Sequence, residues 1–140
     1  MLKKLTLLLV GIGMGFAQFT WAAGNPEKGK ALYAVCVACH GTDGAGNKAL
    51  NSPRIAGQEI WYLERQLKNF KTGVRGANSK DVYGMQMRPM AMTLPNDQAI
   101  ADVAVYVNGL KAKPPVAKIK GDTSAGMAAY MICQTCHGAK

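Results

Sequence analysis

The sequence predicts an all-α chain, and two observations carry that expectation. Apolar residues recur at three- and four-residue spacing in three separate segments. One short frame, first met around Tyr33, then returns around Tyr130. At 140 residues there is room for one domain of ordinary size or two very small ones. A composition that is 49% hydrophobic and 18% charged belongs to a globular rather than a disordered chain.

Taken in order, residues 1–23 read as a secretory signal peptide. Lys3 and Lys4 supply the positive start, Leu5 to Ala17 the apolar core, and Ala22 or Ala23 the small residue before cleavage. The apolar run is too short to span a bilayer comfortably, which argues against a membrane anchor. The first helix opens at Asn25-Pro26-Glu27: Asn25 caps it, Pro26 suits its first turn, and Glu27 favours the positive end of its dipole. It is expected to continue through Gly29, Leu32, Tyr33 and Val35 to Cys36. Gly41 to Gly57 is a polar, glycine-containing loop ending in Pro53-Arg54-Ile55-Ala56-Gly57.

A second helix is expected from about Gln58 to Lys71. Ile60, Leu63, Leu67 and Phe70 form its buried stripe, and Glu64, Arg65 and Lys68 face water. Trp61 and Tyr62 read as core or cofactor-wall packing. Thr72 to Thr93 shows little helical pattern and is rich in methionine, with Met85, Met87, Met90 and Met92 close together. A last helix runs from about Asn96 to Leu110 on an apolar face of Ile100, Val103, Ala104, Val107 and Leu110. Lys111-Ala112-Lys113-Pro114-Pro115 is a linker, because Pro-Pro cannot continue a helix. Beyond it, Gly126 to His137 repeats the frame of Gly29 to His40.

Each copy of that frame ends in a pentad, Cys36-Val37-Ala38-Cys39-His40 and Cys133-Gln134-Thr135-Cys136-His137, and together these hold every cysteine and histidine of the chain. Two thiols three positions apart with an imidazole directly after them form the attachment signature of c-type haem. The thiols of Cys36 and Cys39, or Cys133 and Cys136, add across the haem vinyl groups. His40, or His137, becomes an axial ligand of the iron. The other ring nitrogen of such a histidine needs an acceptor, and the Pro53 carbonyl is a candidate. One imidazole per haem leaves one axial position. A methionine thioether suits it and raises the reduction potential, although methionines in a haem crevice also serve simply as flexible packing. Attachment of haem to such motifs takes place outside the bacterial cytoplasmic membrane, which fits an exported, periplasmic protein.

The chain resembles the class I cytochrome c family. The resemblance rests on Gly29-x-x-x-Tyr33-x-x-Cys36-x-x-Cys39-His40-Gly41, then Pro53-x-Ile55-Ala56-Gly57-Gln58, Met87-x-x-Met90 ahead of Leu94, and Val105-Tyr106 in the last helix. Residues 24–113 are similar to one complete haem domain. Residues 114–140, a linker and a second pentad, are similar to the truncated start of a second domain of the dihaem cytochrome c4 type. The resemblance implies a few helices wrapped around a covalently attached haem, with the first and last helices crossing at Gly29 and Tyr33 and Tyr106 packed nearby. It also implies that the axial methionine lies seven positions before the leucine that introduces the final helix. Counted from Leu94, that residue is Met87, with Met85, Met90 and Met92 as the alternatives. A complete second domain would carry its own methionine after His137, where only Gly138-Ala139-Lys140 follow. The expectation is an incomplete copy, the alternative a second haem with an open sixth position.

These observations favour a one-electron carrier in a periplasmic respiratory chain, with an electron-accepting subunit of a periplasmic dehydrogenase complex as the alternative. No nucleophile–base or carboxylate pair suggests an enzyme. A dihaem peroxidase lacks a spare histidine here, and the export signal and pentad spacing argue against structural zinc. The expected partners are redox proteins such as a quinol–cytochrome c oxidoreductase, a dehydrogenase or a terminal oxidase. The formal charge of +9 suits solubility or steering toward acidic partner surfaces. No basic run interleaved with aromatics points to nucleic acid.

Overall fold

A computed structural model describes residues 23–114, 116 and 119–139. The expected signal peptide, apart from Ala23, lies outside the described residues, as does part of the linker. The elements are α1 (Pro26–Tyr33), α2 (Val37–His40), a 3-10 turn (Lys48–Leu50), α3 (Ile60–Thr72), α4 (Val82–Met92), α5 (Asp97–Gly109), α6 (Thr123–Tyr130) and α7 (Gln134–His137). Among the described residues the only strand-like pairing is an isolated bridge between Asn47 and Ser52. The chain is all-α, as its periodicity predicts. No described helix is long and apolar enough to cross a membrane.

The frame of the first domain is the crossing of α1 and α5. Asn25 caps α1 by accepting from the Lys28 amide at 2.9 Å, and Pro26 sits in the first turn, where its missing N–H costs nothing. At the crossing a side chain on Gly29 would place its Cβ 2.0 Å from the Asp102 carbonyl oxygen, so only glycine lets the backbones approach this closely. Tyr33 stacks obliquely on Tyr106 with ring centroids 5.3 Å apart. Asp102 is buried at the same crossing, and its Oδ1 accepts from the Asn25 amide (2.7 Å) and the Gln98 side chain (2.8 Å).

Ile100, Val103, Ala104 and Val107 of α5 are buried together with Tyr33, Leu63 and Leu94, so the apolar face read from the sequence is the core. Asn96 caps α5 through the Ala99 amide. Lys71 reaches from α3 to the Leu94 carbonyl, and Lys68 pairs with Asp97 at 3.1 Å, which hold the start of α5 against the end of α3.

The structure departs from the sequence reading at four places. The first helix ends at Tyr33 instead of running into Cys36. Hydrogen bonds from Ala34 to Ala31 and from Cys36 to Tyr33 tighten the chain to i→i−3, and α2 then starts afresh. The methionine segment is not a loop, because Val82 to Met92 is helical. Gly84 and Pro89 hid it, yet Asp81 caps it through the Gly84 amide and its methionines and glutamine are good helix formers.

Trp61 is neither core nor wall: it is 59% exposed, with Arg65 lying 4.8 Å over its ring. Two residues along a helix is a rotation of about 200°, which turns Trp61 away from the face that buries Leu63 and Phe70. Ile60, expected in the buried stripe, sits at the first position of α3 and is exposed. Tyr62 does line the internal cleft described next.

Candidate haem site

A cleft of about 430 Å³ opens between α2, α3, α4, α5 and the loop after His40, within the range of small-molecule and cofactor pockets. Its walls include Ile55, Leu63, Leu67, Phe70, Val103 and Val107, and Cys36, Cys39 and His40 reach it from one side. His40 is 6% exposed, and its Nδ1 lies 2.9 Å from the Pro53 carbonyl. A carbonyl can only accept, so Nδ1 carries the proton and the Nε2 lone pair is left for a metal.

The loop achieves this by doubling back. The Ile55 and Ala56 amides both donate to the Gly44 carbonyl, and Gly41, Gly44 and Gly46 take the positive φ values its turns require. The Pro53 carbonyl named from the sequence is therefore the acceptor in the structure.

The two thiols are free and differ in setting, Cys36 half-buried and Cys39 exposed. Burial, reinforced by the neighbouring Cys39, pushes the Cys36 thiol up to about 11, so it stays neutral at physiological pH. Tyr33 closes the pentad by donating from its hydroxyl to the Gly41 carbonyl at 2.8 Å. Burial, then Cys36, Tyr106 and Asp43, raise its phenol to about 12.

Met87 and Met90, one turn apart on α4, both line the cleft, whereas Met85 and Met92 do not. Helical geometry explains the selection: positions three apart share a face, while Met85 and Met92, seven apart, share the opposite one. Arg75 also lines the cleft, and the sequence reading passed over it and Asp102. A basic residue between two glycines was the available signal for Arg75. Asp102 was marked only by a charge interrupting an apolar helix face.

The second pentad repeats the backbone of the first. Cys133, Cys136, His137 and Gly138 donate to Tyr130, Cys133, Cys133 and Gln134 at 2.8, 3.2, 2.9 and 2.9 Å, the same lengths as in the first copy. Tyr130 bonds the Gly138 carbonyl at 2.9 Å, as Tyr33 bonds Gly41. The surroundings differ. Gly126, the counterpart of Gly29, has nothing within 4 Å, and Ile132 is 87% exposed. Cys133, Cys136 and His137 are all exposed.

The donor set of the first site fits a covalently attached haem: paired thiols at the edge of an apolar cleft, an oriented imidazole with one nitrogen free, and thioethers on the wall. It fits zinc poorly, since among the described residues no group of three or more His, Cys, Asp or Glu is arranged to hold a metal ion. The fold and site thus define a small all-α protein with an apolar cleft bordered by a Cys-x-x-Cys-His motif, the arrangement of the c-type haem proteins. The cytochrome c family model matches residues 26–111, and the chain belongs to the cytochrome c family, whose cofactor is haem c with its iron.

Cytochrome c4 of Stutzerimonas stutzeri is 36% identical over 96% of this chain and 67% of its own length. The thiosulfate dehydrogenase electron acceptor of Thiomonas intermedia (strain K12) is 32% identical over 99% of this chain and 63% of its own. The crystal structure of reduced recombinant cytochrome c4 from Pseudomonas stutzeri superposes with a TM-score of 0.61 at 32% identity, covering 84% of this chain and 66% of that one. Against the three cytochrome c4 relatives of S. stutzeri, Azotobacter vinelandii and Pseudomonas aeruginosa, the chain spans from 46% to 67% of their length. The fold is that of a class I cytochrome c.

Proposed function

We propose that this protein is a one-electron carrier of a periplasmic respiratory chain, with haem c on Cys36 and Cys39 and with His40 and Met87 as axial ligands. The observation that carries the reading is His40, buried against the cleft with Nδ1 held by Pro53 and Nε2 left free. When bound, haem c supplies reversible one-electron chemistry at its iron. The chain's own residues hold and tune. Pro53 and the glycine turns fix the imidazole plane. Leu63, Phe70, Val103 and Val107 give the cleft an apolar wall. A thioether from α4, as a ligand of the iron, would favour the reduced state. With His40 and Met87 both on the iron, the first haem would have no open position for a substrate.

Residues 24–113 form the complete haem domain in this reading, and residues 114–140 begin a second, with Cys133, Cys136 and His137 as its attachment set. Residues 1–23 direct export and are cleaved after Ala22 or Ala23. The net positive charge suits acidic faces on partner proteins. A spectroelectrochemical titration tests the function. A carrier gives a one-electron Nernst curve and low-spin spectra in both oxidation states at the first haem. A high-spin first haem that binds carbon monoxide freely contradicts it.

A second reading, an electron-accepting subunit of a periplasmic dehydrogenase complex, is favoured by the similarity to thiosulfate dehydrogenase electron acceptors. Co-purification with a dehydrogenase that reduces the haem on addition of thiosulfate supports it, and a monomer inert to that enzyme counts against it.

A further inference from the structure

We propose that Arg54 is a positioning residue, which ties the linker leading to the second pentad to the loop that holds His40. The inference rests on the reading of the cleft as a haem site and goes beyond it in coupling the axial imidazole to the part of the chain that follows α5. Arg54 comes directly after Pro53, whose carbonyl lies 2.9 Å from His40 Nδ1. The Pro53 carbonyl and the Arg54 N–H share one rigid peptide plane. Whatever fixes Arg54 therefore fixes the acceptor of the imidazole.

Arg54 is held from both ends. Its carbonyl accepts from Gln58 Nε2 at 3.0 Å, and the Gln58 carbonyl accepts from Asn108 Nδ2 of α5 at 2.9 Å. The Gly57 amide adds a bond to the Val107 carbonyl at 3.2 Å. These contacts fasten the loop to the last turn of α5. The side chain reaches further: Nη1 donates to the Lys113 carbonyl at 2.8 Å, 59 residues along the chain, and Nε lies 3.5 Å from the Ala56 carbonyl. A charged donor makes such a bond stronger than one between neutral groups.

The chain after α5 is led to this contact. Leu110 lies against the loop, since a Cβ on Gly44 would meet its Cδ1 at 3.1 Å, and Ala112 is buried. Lys113 precedes Pro114, and a residue before proline is driven toward an extended conformation. The linker therefore leaves the first domain at Lys113, not at the end of α5. Only residues 114–121 separate that anchored carbonyl from Asp122, the cap of α6. Any movement of the unit carrying the second pentad acts first on Lys113 and, through the Arg54 fork, on the peptide that orients His40.

A firmly held acceptor makes the imidazole a more basic ligand through its Nδ1–H bond, which favours oxidised iron. Releasing the clasp should weaken that bond and shift the reduction equilibrium toward the reduced form by about threefold, which is about 28 mV for one electron. The test uses the haem-loaded full chain and the variants R54K, R54M, P114G and R54M/P114G, with covalent haem counted by pyridine haemochrome in every sample. Two readouts are followed in each: hydrogen exchange of the His40 Nδ1–H in the reduced protein by NMR, and the potential of the first haem.

R54M should exchange that proton faster and show the shift with unchanged haem content, and R54K should recover most of both because it keeps a charged donor. P114G should move both readouts in the same direction, since it frees the Lys113 carbonyl to turn away. The double variant should go no further than R54M, because the two changes loosen one link. Wild-type exchange and potential in R54M, with only the melting temperature lowered, would show that Arg54 merely packs, and the proposal would fall. Additive shifts in the double variant would equally remove the coupling. If R54M loads no haem, unchanged exchange in P114G overturns the proposal. A wild-type sample without covalent haem would instead overturn the reading of the cleft.

Discussion

Replacing Gly29 with alanine perturbs the contact on which the domain is built. The new Cβ would lie 2.0 Å from the Asp102 carbonyl oxygen, 2.6 Å from its carbon and 2.8 Å from Tyr106 Cβ. Ordinary contact begins at 3.4 Å, so α1 must retreat by more than an ångström. The obstacle is backbone and cannot swing aside. Overpacking of this kind costs typically about 1–3 kcal/mol, and a backbone obstruction belongs at the upper end. Alanine returns up to about 1 kcal/mol through its helix propensity.

A net loss of about 2 kcal/mol lowers the melting temperature of a domain of this size by about 8–16 °C. The assay is thermal unfolding of the haem-loaded protein, followed by far-ultraviolet circular dichroism and haem absorbance. The chain contains its own control. Gly126 holds the same place in the repeated frame with nothing within 4 Å, so Gly126→Ala should leave the main transition unchanged. Equal melting temperatures for the two variants would refute the close-crossing argument.

Three further outcomes are expected. Met87→Ala should abolish the low-spin, methionine-ligated spectrum and lower the potential, whereas Met90→Ala should keep both. The reverse pattern would move the ligand one turn along α4. Tyr33 has a phenol raised above its unfolded value of 10 to about 12, so the neutral form is the one the fold favours. Its contribution is complete below pH 10 and is lost as pH rises toward 12. Denaturant titrations across that window should show stability falling in the wild type and falling less in Tyr33→Phe, and parallel curves would contradict the assignment. A Cys36→Ala/Cys39→Ala chain, unable to attach haem at the first site, should be largely unfolded because the cofactor supplies much of the core of so small a domain. A native-like circular dichroism spectrum from that chain would refute this.

The parts of the fold legible in the sequence are those set by local chemistry. Asn25-Pro26 marked the start of α1, Asn96 that of α5, and the three- and four-residue spacing of Ile100, Val103, Ala104 and Val107 marked the core. The pentad marked Cys36, Cys39 and His40, which line the cleft, and Pro53 was named as the acceptor that His40 meets. What escaped depended on the rest of the molecule. Helix α4 was hidden because Gly84 and Pro89 are poor helix residues; the Asp81 cap is local and was passed over, while the packing against α3 is tertiary. Trp61 was misplaced because bulk alone does not say which side of α3 faces α5. Arg75 gains meaning only once the turn between Gly73 and Gly76 folds it over Phe70.

The central claim is that Cys36 and Cys39 hold a haem whose iron is ligated by His40. Intact mass of protein expressed with a c-type cytochrome maturation system tests it most directly, comparing wild type with Cys36→Ala/Cys39→Ala. The account requires covalent haem on the wild-type polypeptide and one haem fewer on the double variant. Fully matured wild type with the mass of the bare polypeptide, or a double variant that keeps every haem, would contradict it.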